Sequence, residues 1–276
     1  MSSTSSRASS SMPPWKQAFS EHIAKVGSPE FVLSTLAKAP ENSATPYVPR
    51  ARFCIFRGFW AELPDNVHNP AQKNARVFES DLLTFTTDVR MQKVGQLFSS
   101  SSGRADRHEL VQGSGGGGPV EAVFWVKETS TQWRIRGNAY VVADDIDENS
   151  ESSGVRTVKS EIGARMRAVQ PGQEGGWSWK RELDGHFGNL SPGMRGSFKS
   201  PPPGRPTSQP FDETKNRLAT KVDDLHEPAA RENFRVVIIK PDWVEQTDVS
   251  GTEQARRYQY EYDPSSDSWT TTETWP

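Results

Sequence analysis

"DLLTFTTDVRMQKVGQLF", residues 81–98, reads as a strand that turns directly into a helix. Leu83 and Phe85 give the strand alternation, and Met91, Val94 and Leu97 or Phe98 then fall at helical spacing. Thr86, Thr87, Arg90 and Lys93 gather between the two. A helix N-terminus offers unpaired backbone N–H groups and the positive end of a dipole. Hydroxyls and cations added there suit an anion, phosphate in particular. The same residues equally describe a strand, an Asp88 cap and a solvated helix face, so this stretch alone leaves both readings open.

The surrounding chain narrows the possibilities. Its 276 residues suffice for one large domain or two small ones. Hydrophobic residues make up only 33% of it and the mean hydropathy is -0.72, which predicts sizeable loops around a modest core. Nine Trp and thirteen Phe supply that core. A net charge of -2 argues against an extended nucleic-acid surface. Cys54 is the single cysteine, which excludes an internal disulfide and suits a reducing compartment. No apolar run approaches the ~20 residues needed to cross a bilayer. The Ser-rich start lacks the apolar segment of a secretory signal, so a cytoplasmic location is the default expectation.

Residues 1–12 read as a disordered tail. Trp15, Phe19, Ile23 and Val26 then mark one face of a helix. "SPEFVLSTLAKAP", 28–40, looks like a second short helix, with Ser28 as cap, Pro29 in the first turn and Pro40 as stop. Strands are expected at 50–63, 81–88, 120–143 (two, around a turn at 128–131), 234–249 and 255–276. Residues 157–184 look helical with an interruption at "PGQEGG", and 191–210 form a Pro/Gly connection. Flexible inserts are expected at 99–118 and 144–156. Many strands with few helices favour a small antiparallel barrel with flanking helices, a single domain over 13–276.

Several chemistries can be set aside. The five histidines are scattered without ligand spacing, and Cys54 has no Cys partner, so no metal site is expected. "GSGGGG", 113–118, matches G-x-G-x-x-G in form, but it follows a polar loop and precedes a strand, so it reads as linker. The acidic group Asp144, Asp145, Asp147 and Glu148 reads as a solvated loop. More informative are cations set within apolar strands. Arg52 and Arg57 flank "FCIF", while Gln132, Arg134 and Arg136 alternate with Trp133 and Ile135 to give one polar, cationic face. That face is either solvated or part of one anion site with Thr86–Lys93.

These segments, in this order, resemble the pyridoxamine 5'-phosphate oxidase-related FMN-binding split-barrel family, in particular its oxidase-like branch of unassigned substrate. "RFCIFRGF" (52–59) resembles the family's Arg-x-Val-x-Phe-Arg-Gly-Phe strand, and "FTTDVRMQK" (85–93) its Phe-x-Thr-Asp…Lys segment. "VFWVKETSTQWRIRG" (123–137) resembles its Gln-x-Arg-x-x-Gly hairpin, and "LSPGMRGSFKSPPPG" (190–204) its Leu-Ser…Pro-x-Pro-Gly connection. The resemblance covers most of 13–276 outside the two inserts. It implies a mainly β, antiparallel FMN-binding split barrel of Greek-key type that works as a homodimer on a small-molecule substrate.

Residue by residue, the resemblance implies that Arg52 and Lys93 bind the FMN phosphate, that Thr86 and Thr87 hold phosphate and ribityl chain, and that Gln132 bonds the flavin from the partner subunit. Arg57 stands where the family's well-characterised oxidases carry a Lys near flavin and substrate phosphate. Arg90 and Arg134 complete the set of candidate cofactor-binding residues. There are departures. Met91-Gln92-Lys93 replaces Ser-Arg-Lys, so Arg90 is left to supply the missing charge, and Arg256-Arg257 replaces an Arg-x-His pair, which leaves open whether either arginine reaches the partner's flavin. FMN binding therefore carries over better than the substrate does. The expected function is an FMN-dependent oxidoreductase of unassigned substrate. The alternatives are a true pyridoxamine/pyridoxine 5'-phosphate oxidase, with Arg195 among its replacement phosphate ligands, a flavin-binding or sensing module without turnover, and a flavin-free scaffold.

Overall fold

A computed structural model describes residues 12–101, 113–147, 152–251 and 255–276. Residues 1–11 of the expected tail, residues 102–112 of the first insert and 148–151 of the second lie outside the described residues. In chain order the elements are α1 (Lys16–Ile23), β1 (Glu30–Lys38), β2 (Tyr47–Ile55), β3 (Phe78–Ser80), β4 (Leu83–Asp88), α2 (Gln92–Ser99), β5 (Gly115–Val126), β6 (Thr131–Val142), α3 (Ser153–Gly163) and β7 (Met166–Ala168). There follow α4 (Trp179–Gly188), α5 (Pro192–Ser197), α6 (Pro228–Asn233), β8 (Phe234–Asp248), β9 (Arg256–Asp263) and β10 (Ser268–Thr274).

All strand pairs are antiparallel, and the main sheet runs β10-β9-β8-β6-β5-β1-β2, with β4 also on β8. β8 holds this together. One edge pairs with β6 along most of its length, while the other takes β4 first and β9 afterwards. Gly137, at the bulge where β6 follows the bend of β8, has no alternative: a Cβ there would stand 2.0 Å from the Lys240 carbonyl oxygen. Past the end of β2 the chain reaches β4, with Arg57 N–H donating to the Thr84 carbonyl at 2.8 Å and Thr84 N–H donating to the Gly58 carbonyl at 2.9 Å. These bonds close β1, β2, β4, β8, β6 and β5 into a barrel. Among the described residues no ladder joins β2 at 52–54 to β4 at 86–88, so the barrel is split along that seam.

Alternation along the strands sorts residues between two cores. Leu83, Phe85, Val237 and Ile239 point into the barrel, while Val236 and Ile238 join a second cluster with Trp60, Leu183, Phe187 and Phe234. The ends of the barrel are closed by helices. α1 seats Phe19 against Phe124 and Trp133, with ring centroids at 5.1 and 5.5 Å. At the opposite end α2 buries Val94, Leu97 and Phe98.

Four expectations are corrected. Residues 30–38 form β1, not a helix: Phe31, Leu33 and Thr35 alternate inward, and a period of two wins over the Ser-Pro…Pro brackets. Gly115–Gly118, expected as linker, open β5, since ladder bonds to β6 need no side chains. Asp144 and Asp147 are exposed as expected, but Asp144 and Asp145 are also tied into the fold. Asp144 pairs with Arg231, and Asp145 accepts from the backbone N–H and hydroxyl of Ser114. Lastly, α3 starts at Ser153, inside the second insert, and the 157–184 stretch carries the short strand β7 paired with β3.

Candidate functional site

The open seam is where three of the sequence-derived residues, Arg52, Thr87 and Lys93, lie together. Thr87 lies on the barrel side of β4, and Lys93, in the first turn of α2, donates from Nζ to Thr87 Oγ1 at 3.0 Å. One turn further along α2, Gln96 Oε1 accepts from Arg52 Nη2 at 2.7 Å and from Thr35 Oγ1 at 2.6 Å. Arg52 Nη1 donates to Thr35 Oγ1 at 2.6 Å. So β1, β2, β4 and α2 each contribute one wall, and the arginine is fixed by neutral oxygens alone. No side chain caps α2, whose N-cap position is the extended residue Met91. Thr86 lies on the opposite face of β4 from Thr87, half-buried.

The electrostatics of this corner are one-sided. Burial pulls the Lys93 ammonium below its ordinary range, and the Arg52 charge adds to that. Burial does the same to Arg52. The Cys54 thiol behind them is pushed up by burial, with Lys93 and Arg52 opposing. Among the described residues neither cation has a carboxylate within ion-pair distance. Two half-buried cations facing a hydroxyl and an uncapped helix start, with no ion-paired carboxylate among the described residues, offer donors that suit a phosphate monoester. The donor set thus fits the terminal phosphate of a flavin mononucleotide.

The remaining candidates lie elsewhere. Arg90 is fully engaged: it clasps Asp88 through Nε at 2.9 Å and Nη2 at 2.6 Å, and it donates to the carbonyls of Phe198 and Ser200. It ties the 198–216 connection to β4 and does not replace the missing charge of the helix start. Gln132 and Arg134 project from the outer face of β6, as the register shows: Arg134 aligns with Val123 and Glu245, whereas the inward row carries Ile135, Ala122, Leu33 and Arg52. One chain therefore cannot bring Gln132 and Lys93 into one pocket. Arg134 binds Glu121 at 2.6 Å and the buried Glu245 at 3.3 Å, and Arg257 meets the same Glu245 at 2.6 Å. Arg195 is buried, donating to the Val222 carbonyl at 2.8 Å.

Arg57 sits roughly 16 Å along the chain from Arg52, at the α1 end of the barrel. It lines a cleft of about 420 Å³ with Ile23, Phe56, Asn66, His186 and Asn189. His186 was not foreseen. It is buried and stacks on Trp60 with centroids 5.7 Å apart and planes at 5°, and its Nε2 has no partner among the described residues. Thr35 and Gln96 were missed as well, although Gln96 follows Lys93 by three residues, on the same helix face.

Comparison with known proteins bears on the fold and the family. Residues 12–143 match the family model described as pyridoxamine 5'-phosphate oxidase, FMN-binding domain, and that segment contains Arg52, Arg57, Thr86, Thr87, Arg90, Lys93, Gln132 and Arg134. No curated protein matches the chain. A solved pyridoxamine 5'-phosphate oxidase-related, FMN binding protein from Nostoc punctiforme PCC 73102 shares the fold, with a TM-score of 0.60 at 19% identity over 96% of this chain and 100% of that one. PhzG from Burkholderia lata 383 aligns over 95% of this chain and 89% of its own at 15% identity, with a TM-score of 0.44, too distant to add to the comparison.

Proposed function

We propose, for a chain whose residues 12–143 belong to the pyridoxamine 5'-phosphate oxidase FMN-binding domain family, that it is an FMN-binding oxidoreductase acting on a small-molecule substrate. The observation that carries this reading is the Arg52–Lys93 corner, two cations without a carboxylate at the seam of the barrel. There Arg52 and Lys93 neutralise the phosphate, and Thr87 supplies a hydroxyl. FMN, when bound, provides hydride transfer, so the chain needs to bind, orient and exclude water, and no catalytic dyad is required of it.

The outer face supports a homodimer. Phe53 is 74% exposed and Trp125 56% exposed on the same side of the sheet, with Val32 and Val123 between them in register. Gln132 aligns directly with Trp125. A second copy covering this strip would bring its Gln132 to the first copy's seam, and aromatic residues are favoured at such interfaces. A true pyridoxamine 5'-phosphate oxidase finds less support, because Arg195, one of its candidate replacement phosphate ligands, is buried and already donates to the Val222 carbonyl.

The test is titration with FMN and FAD, followed by co-expression of two variants, Lys93→Ala and Gln132→Ala. FMN is expected to bind in preference to FAD. Each variant alone should hold flavin poorly, while the heterodimer, with both defects in one pocket, should recover one good site. FAD as the preferred flavin, or a verified heterodimer without recovery, overturns the reading. Flavin bound but never reduced by any donor leaves a sensing module.

A further inference from the structure

Gln96 follows Lys93 by one turn of α2, and its amide reaches across to both β1 and β2. Gln96 Oε1 accepts from Arg52 Nη2 at 2.7 Å and from Thr35 Oγ1 at 2.6 Å, and Thr35 Oγ1 in turn accepts from Arg52 Nη1 at 2.6 Å. The three side chains close a ring, and Gln96 and Thr35 are both buried. A guanidinium carries donors only, so the amide has to present its oxygen. Arg52 Nη1 also reaches the carbonyls of Leu33 and Arg50, both at 3.2 Å. Every acceptor of Arg52 among the described residues is therefore uncharged. Because Lys93 rides on the same helix as Gln96, the ring also sets the spacing of the two cations.

The outer face of the same sheet holds its arginines differently. Arg134 and Arg257 share the buried carboxylate of Glu245, at 3.3 and 2.6 Å. Gln and Glu have the same shape and differ by one charge. A carboxylate at position 96 would grip the Arg52 fork more strongly than an amide does, and a buried cation left without a counter-charge costs stability. Burial with no acid to offset it already pulls Arg52 below its ordinary range. Holding Arg52 by an amide and a hydroxyl thus forgoes stability in the free protein. What it keeps is a positive charge that is fixed in place and not yet spent.

We propose that Gln96 is a positioning and specificity-determining residue of the seam: its amide fixes Arg52 without neutralising it, and that neutrality is what lets the site choose a flavin bearing a phosphate over the same flavin without one. A phosphate monoester brings about -1.5 to -2 charges at pH 7. Its attraction to the seam scales with the charge left there, whereas the attraction of an uncharged riboflavin does not. As a choice between flavins the proposal rests on the flavin reading of the site; as a device that leaves an anion site uncompensated it rests on the ring alone.

The experiment titrates the full chain and its Gln96→Glu, Gln96→Met and Thr35→Val variants with FMN, with riboflavin and with inorganic phosphate, reading flavin fluorescence and melting temperature. The wild type should bind FMN at least about tenfold tighter than riboflavin. Gln96→Glu, whose new carboxylate pairs with Arg52, should weaken FMN binding by about 10- to 100-fold and riboflavin binding by less than about threefold. Gln96→Met and Thr35→Val remove an acceptor without adding a charge, and each should weaken FMN by about 2- to 10-fold with riboflavin again unmoved. A residue that merely packs α2 would lower both flavins together. Parallel losses, an FMN affinity untouched by Gln96→Glu, or a wild type that binds the two flavins equally, overturns the proposal. Should Gln96→Glu not fold, Gln96→Met and Thr35→Val decide alone by the same criterion. The phosphate arm keeps the two readings apart. Inorganic phosphate that raises the melting temperature of the wild type but not of Gln96→Glu, in a chain that takes no flavin, sinks the flavin reading only. FMN bound equally by wild type and Gln96→Glu sinks this one only, and a wild type that binds neither FMN nor phosphate sinks both.

Discussion

Two corners of the same barrel collect cations, and they differ in what faces them. On the outer sheet, Arg134 and Arg257 converge on Glu245, which is 1% exposed, while Glu121 takes the remaining edge of Arg134. At the seam, Arg52 and Lys93 meet only hydroxyl, amide and carbonyl oxygens. From the sequence the two look alike, strand arginines flanked by apolar neighbours. The difference is that the outer group is a closed ion-pair network that can sustain itself, whereas the seam is an open one that an anion would complete. Counting cations does not locate an anion site; finding cations whose carboxylates are missing does.

The comparison fails first if Lys93 can be removed without loss. Lys93→Ala is expected to weaken FMN binding by about 1.5–3 kcal/mol, with little change in melting temperature because a like charge beside Arg52 goes with it. Flavin fluorescence titration and thermal melts measure the two effects. Lys93→Arg should restore part of the loss, since its wider fork does not reproduce a point charge.

A third region sharpens the contrast, because it buries groups of both signs without completing either. Glu182 and His186 stand one turn apart on α4, each with an unpartnered atom. Burial pushes Glu182 up to about 7 and pulls His186 down to about 3. For Glu182 the folded state holds more protons between its ordinary 4.5 and about 7, so stability falls as pH rises through that window. For His186 the unfolded state holds more protons between about 3 and its ordinary 6.5, so stability rises with pH there. The slopes oppose each other where the windows overlap. Glu182→Gln should leave stability falling as pH drops below 6.5, and His186→Gln should leave it falling as pH rises from 4.5, each by at most about 1.4 kcal/mol per pH unit. Denaturation at a series of pH values reads both slopes, and identical profiles for the two variants would defeat the assignment.

The smallest effect belongs to the closed network. Glu245→Gln should destabilise the fold by about 1–2 kcal/mol, because its two arginines are roughly a third exposed and water compensates them in part. FMN affinity should change by less than about threefold, near the error of an uncoupled mutation. A larger loss would place Arg134 in the flavin site after all.

Much of this was legible in the chain itself. The 81–98 turn and the 123–137 hairpin sit where their periodicity puts them, because each buries one face against the barrel, whereas the strand expected at 50–63 ends at Ile55. What escaped reading was set by partners distant in sequence. Residues 30–38 carry an apolar run that suits either period, and only pairing with β2 and β5 makes it a strand. Gly115–Gly118 have no side chains to announce a strand, so β6 alone decides. Arg52, Thr87 and Lys93 were legible as one group, but Thr86, on the other face of β4, and Arg90 were not separable from them, since the carbonyls that occupy Arg90 come from residues 198 and 200. Arg57 and His186 meet across more than a hundred residues, and no local pattern links them.

The double role of β8 also governs how the chain assembles. β4 ends at Asp88, yet the strand it pairs with begins at Phe234, and β6 takes its second neighbour from that same strand. Until β8 has been synthesised, the inward faces of β4 and β6 cannot be enclosed, and both present a bare edge. Barrel closure is thus a late, long-range event in vectorial synthesis, and slow loop closure of this kind leaves apolar strands exposed to other chains while they wait. Newly made protein is most vulnerable to aggregation just before Phe234–Asp248 emerges, and β8 is the segment whose arrival ends that interval.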